Sequence, residues 1–182
     1  MSRSVQLVLV CEDRQHETFA RRFLEKAGWS TRRLRVEMAP PGRGSAVQFV
    51  RERFPKELSA YRSNRNRVAQ GVIVMLDGDA EGVVARVDEL ARVCEGHGIK
   101  PRDHEEHVAI FVPTWNIETW LADLSGTNVD ESKSDYPRLD RPRDCQQHVD
   151  RLQEMCQQGA LKKPAPASLE HACVEYRTRM PS

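Results

Sequence analysis

Acidic residues close two of the most apolar stretches of the chain. Residues 5–11 read VQLVLVC and run directly into Glu12, and residues 71–76 read GVIVML and run directly into Asp77, Gly78 and Asp79. A further acid, Glu118, lies about a turn beyond a third apolar stretch, VAIFV at residues 108–112. If these stretches are parallel strands, their carboxyl ends share one edge of the sheet, where α/β proteins gather their ligands. Carboxylates crowded there repel one another unless a cation joins them. Mg²⁺ or Mn²⁺ suits such a set, because a hard divalent ion takes a few carboxylate oxygens and keeps the rest of its shell for water and phosphate. The chemistry expected of Glu12, Asp77 and Asp79, with Glu118 as a further candidate ligand, is the binding of such an ion, which polarises a phosphate oxygen or a water held beside it.

Each acid also has an ordinary structural use: Asp77 as a turn residue, Asp79 as a helix N-cap, Glu12 as a charge complementing a helix dipole. Other chemistries fit less well. The string DGDAEGVVARVD has the acids and glycine of an EF-hand calcium loop, but a strand-like run precedes it where that motif needs a helix. A haloacid-dehalogenase-like phosphatase also follows a strand with D-x-D, yet on its first strand and with a small hydroxylated residue next, whereas Ala80 and Glu81 follow here. His104 and His107 do not form H-E-x-x-H, and Cys145, His148 and Cys156 lack the short paired spacing of a zinc site. Trp115 and Trp120 are five apart on different helix faces, which favours core positions over a base-stacking platform.

The elements that must position these residues follow from periodicity. Residues 5–11, 71–76 and 108–112 have the near-continuous apolar character of strands buried on both faces of a parallel sheet. Residues 31–38 alternate Leu34, Val36 and Met38 against Arg33, Arg35 and Glu37, as a peripheral strand would. Helical spacing follows the first strand up to a stop at Gly28, resumes after a Ser45 N-cap, and recurs over residues 81–94 and 115–124. The order predicts an α/β fold, a parallel-rich four-stranded sheet flanked by helices. Residues 1–125 form its core. Residues 126–182 form a C-terminal extension with two helices, 144–158 and 167–177, packed on the same domain.

A strand ending in Glu12 followed by a helix, then a later strand ending in Asp77-Gly78-Asp79, resembles the TOPRIM (topoisomerase-primase) domain family. Glu17 resembles the second acid that nuclease-type members carry in the first helix, although its spacing from Glu12 is one residue longer and Asp13 stands where the family has Gly. Asn116-Ile117-Glu118-Thr119-Trp120-Leu121 is similar to a stretch of small stand-alone TOPRIM-like proteins, some of which accompany ATPases in phage-defence loci. The resemblance covers residues 5–125. It implies a divalent-metal-dependent nuclease, with Lys133 as the nearest match to the lysine that such enzymes place at the scissile phosphate. Its alternative is a non-catalytic regulatory subunit of an ATPase complex. At 182 residues the chain is too short for topoisomerase or primase action.

Composition limits the partners. Lys and Arg total 28 against 27 Asp and Glu, a formal charge of +1, so a nucleic-acid surface must be local or shared with an ATPase or a second copy of the chain. The five cysteines form no C-x-x-C pair and argue against a disulfide framework. With no apolar run near the roughly 20 residues that span a bilayer and no recognisable leader, the expectation is a cytoplasmic protein with no membrane partner.

Overall fold

The computed structural model describes residues 5–68 and 70–180. Four strands, β1 (Gln6–Cys11), β2 (Arg35–Met38), β3 (Gln70–Met75) and β4 (Val108–Phe111), form one sheet in the order β2-β1-β3-β4, with every neighbouring pair parallel. The helices are α1 (Arg14–Lys26), α2 (Ala46–Asn64), α3 (Gly82–Gly96), α4 (Ile117–Leu124), α5 (Gln146–Gln158) and α6 (Ala167–Arg179). The α/β class, the four-stranded parallel sheet and the C-terminal helices are as the sequence predicts.

The apolar strands are buried on both faces, and their alternation sorts the helices into two layers. Leu7, Leu9, Cys11, Ile73, Met75, Ala109 and Phe111 point into a core built with α1, α4, α5 and α6. Val8, Val10, Val72, Val74, Val108 and Ile110 point the other way, onto Val50, Phe54 and Leu58 of α2 and Leu90 and Cys94 of α3. From β1 the chain runs through α1 to β2 on one side, then returns through α2 past β1 to β3 on the other. The β1/β3 boundary is therefore the topological switch point, and its carboxyl end is the position where α/β sheets gather ligands.

Local chemistry sets the helix ends. The Asp13 side chain accepts the His16 amide at 2.9 Å and starts α1, and Gly28, at φ 88°, ends it. The cap of α6 comes from far away in the chain: the Glu131 carboxylate accepts the amides of Ala167 and Ser168 at 2.8 and 3.2 Å.

Three expectations are corrected. The strand expected over residues 31–38 begins only at Arg35, because Thr31–Arg33 winds into a 3-10 turn. The helix expected from Trp115 begins at Ile117, because the Trp115 backbone pairs with Asp79. Cys156 of α5 and Cys173 of α6 are joined in a disulfide, with Cα atoms 5.2 Å apart, a pairing that the cysteine spacing, read as arguing against a disulfide framework, does not anticipate. Among the described residues no helix is long and apolar enough to cross a membrane.

The last helix is held to the sheet by charge as well as by packing. Arg102 donates to both oxygens of Glu175 at 2.6 and 3.1 Å and to the Val108 carbonyl at 2.6 Å, while Glu175 also accepts the Ile110 amide at 2.9 Å. Both side chains are about nine-tenths buried. Removing Glu175, which Arg179 also contacts at 3.1 Å, leaves the Arg102 charge buried without an ion-pair partner among the described residues. Glu175→Ala is expected to cost about 3–5 kcal/mol, read as a lower midpoint in urea unfolding. A change under about 1 kcal/mol, the level of an exposed ion pair, would show that this cluster does not anchor α6.

Candidate functional site

The carboxyl ends of β1 and β3 bring Glu12 and Asp77 into direct contact. The two strands run in register, Cys11 beside Met75, so the residues just beyond them meet across the switch point. Glu12 Oε1 accepts the Asp77 amide at 2.5 Å. Burial first, and then the charge of Asp77, push the Glu12 carboxyl up from its ordinary 4.5 to about 7.

His16 completes this nucleus and was not singled out from the sequence. It sits on the first turn of α1, fully buried, with Nε2 3.0 Å from Asp77 Oδ1. Burial opposes its protonation, but the Asp77 hydrogen bond and the charges of Asp77, Asp13 and Glu12 outweigh it and raise its pKa. Its Nδ1 is buried without a hydrogen-bond partner among the described residues. The available signal was its place four residues after Glu12, on the helix turn that faces the strand ends.

The loops after β3 and β4 are zipped together beside this nucleus. Gly78 donates to the Pro113 carbonyl at 2.8 Å, and Asp79 and Trp115 exchange backbone hydrogen bonds at 3.0 and 3.1 Å. A Cβ on Gly78 would stand 2.9 Å from the Pro113 oxygen, so the close approach requires glycine. Asp79 and Trp115 both take positive φ, 46° and 62°, a strained conformation for a tryptophan that the mutual bridge holds in place. The zipper fixes the start of α4 and with it Glu118, whose pKa is raised by burial and by Asp77 despite Arg138 Nε 3.7 Å away.

The remaining acids are already neutralised. Asp79 turns to Arg86 at 2.6 Å, and Arg86 also donates to Glu89 and to the Asp77 carbonyl. Glu17 is bridged by Arg14 and Arg21 at 2.5 and 3.0 Å, which hold its pKa low against burial. Lys133 lies on an exposed segment 3.9 Å from Asp130, with no ion pair to the cluster among the described residues. Thus Glu12 and Asp77 come together, Glu118 is near enough to feel the charge of Asp77, Asp79 is adjacent but engaged, and Glu17 and Lys133 stand apart.

Among the described residues no three His, Cys, Asp or Glu side chains are arranged as a ready ligand set. The donor chemistry at the nucleus nevertheless suits a hard divalent ion, which needs only one or two protein carboxylates when water and phosphate fill its shell. Glu12 and Asp77 are the residues that could supply these.

The electrostatics have a measurable consequence. Because Glu12 is raised in the fold, its contribution to stability is complete below its ordinary pKa of 4.5 and is lost as pH rises through about 7; the raised His16 acts in the same direction. In chelator, the thermal midpoint is expected to fall across this window, less steeply in Glu12→Gln. Parallel profiles in circular-dichroism melts would show that Glu12 carries no such strain. Comparisons with protein-family models, with curated proteins and with solved structures found no match, which leaves the geometry of this edge as the ground for a function.

Proposed function

We propose that the chain is a divalent-metal-dependent nuclease of the TOPRIM type, hydrolysing phosphodiester bonds in DNA or RNA. One observation carries this reading: Glu12 and Asp77 meet at the switch point of a parallel sheet, close enough that burial and mutual repulsion lift Glu12 to about 7. A fold keeps such a pair against its own stability where the pair has a cation to receive.

In this reading Glu12 and Asp77 hold the Mg²⁺ or Mn²⁺, and Asp79 joins only by exchanging Arg86. The bound ion would supply Lewis-acid polarisation of a phosphoryl oxygen and a lowered pKa for water. His16 fixes the rotamer of Asp77 through its Nε2 contact, and Glu118, the third acid on this edge, is the residue to orient an attacking water. Arg86 braces the Asp77–Asp79 turn from α3. The balanced net charge fits a polynucleotide grip completed by a partner, an ATPase subunit or a second copy of the chain, in the cytoplasm and away from membranes.

The alternative, a non-catalytic regulatory subunit of an ATPase complex, draws on a specific observation: Arg86, Arg14 and Arg21 already occupy Asp79 and Glu17, leaving fewer acids free than an active two-metal site uses. The same Arg86 pairing counts against a haloacid-dehalogenase-like phosphatase, whose second D-x-D acid must be free. The test is cleavage of plasmid, single-stranded DNA and tRNA with Mg²⁺ or Mn²⁺, with and without a candidate ATPase. Asp77→Asn, which keeps the side chain's shape, is expected to lower the rate by at least about 100-fold while the protein stays folded by circular dichroism. Undiminished cleavage by this variant would refute the site, and absence of cleavage by the wild type under every condition would favour the regulatory reading.

A further inference from the structure

Glu12, Asp77 and Glu118 stand on one edge of the sheet, and a phosphate approaching that edge needs a cation at its mouth. Several arginines of this edge and of residues 126–145 are committed. Arg14 and Arg21 bridge Glu17, Arg86 is shared between Asp79 and Glu89, and Arg141 pairs with Asp144 at 3.1 Å. Arg138 differs. Its one ion pair among the described residues is the 3.7 Å approach to Glu118, longer than a hydrogen bond, and its side chain is 86% exposed.

The backbone around Arg138 is nevertheless held in place. Leu139 packs against the core on the α1 side of the sheet. The Pro142 carbonyl accepts from Gln15 of α1 at 3.4 Å, Cys145 is fully buried, and upstream the Tyr136 hydroxyl accepts the Asp130 amide at 2.7 Å. A free guanidinium on an anchored stretch, beside an acid cluster, is a fork preset for a phosphate.

We propose that Arg138 receives a backbone phosphate of a polynucleotide at the mouth of the cluster, its guanidinium passing from Glu118 to the phosphate. It takes the place that sequence resemblance gave to Lys133. The transfer releases Glu118 from its counter-ion when substrate arrives, so that substrate binding readies the acid that orients water. This rests on the nuclease reading for its consequence, but the contact itself is a binding property.

The experiment measures fluorescence anisotropy of a short fluorescein-labelled single-stranded oligodeoxynucleotide, in EDTA and in Ca²⁺, over a range of NaCl. Arg138→Ala is expected to weaken binding by about tenfold, as for one charge-assisted hydrogen bond, and to lower the slope of log K against log salt by about 0.7. Arg138→Lys should restore the slope but not the full affinity, and Lys133→Ala should bind as the wild type does. An excess of inorganic phosphate should compete weakly if a polynucleotide is the ligand, whereas equally strong competition would assign the position to free phosphate and overturn the proposal. Binding unchanged in Arg138→Ala, equal losses in Arg138→Ala and Lys133→Ala, or no oligonucleotide binding at all would also overturn it. Binding that depends on Arg138 without any cleavage would sink the nuclease reading and leave this contact standing. Cleavage that is indifferent to Arg138 would do the reverse.

Discussion

A parallel sheet whose strands are apolar on both sides must be covered on both sides, and almost everything else in this molecule follows from that. The residues of β1, β3 and β4 alternate between two cores without presenting a polar face, so helices have to return over each surface. Right-handed crossovers permit this only if the chain winds one way through α1 and the other way through α2 and α3. That reversal sets the switch point between β1 and β3. The acids at the ends of those two strands then face each other because the backbone gives them nowhere else to go.

The charge arrangement at that edge is selective. Arginines from neighbouring helical turns cancel Glu17 and Asp79, whereas the nucleus at Glu12 and Asp77 is met by His16, a residue whose own charge is opposed by complete burial. A fold optimised only for stability would replace one acid of the pair with an amide. Keeping both, beside a Gly78 turn with no room for a Cβ and a tryptophan in the left-handed region, concentrates strain at the switch point.

Much of this was legible from residue order. The long runs ending at Cys11 and Leu76 have no helical period and no polar face, so their strands and the acids after them could be placed directly. What escaped depended on three-dimensional partners. His16 lies in a helix start rich in polar residues, and nothing in its spacing separates a solvent-facing histidine from one turned onto Asp77. Arg86 reaches Asp79 across a turn whose positive φ is not encoded by residue type. Residues 126–145 have no periodicity, so sequence could not say that Arg138 would lie beside Glu118 while Lys133 pointed away. The Cys156–Cys173 bond depends on the packing of α5 against α6, which a cysteine count does not record.

The cap of α6 by Glu131 ties the two ends of the molecule together. The Glu131 carboxylate holds the first amides of α6, while its backbone carbonyl accepts the indole N–H of Trp115 at 3.0 Å, and Trp115 is the residue bridged to Asp79. Trp120 adds a parallel strut, donating to Ser168 at the same helix start. The C-terminal helices and the acidic edge are therefore parts of one mechanical linkage. Together Glu131 and Trp120 join the start of α6 to α4 and to the turn that carries Asp79, so residues 126–180 brace the acidic edge.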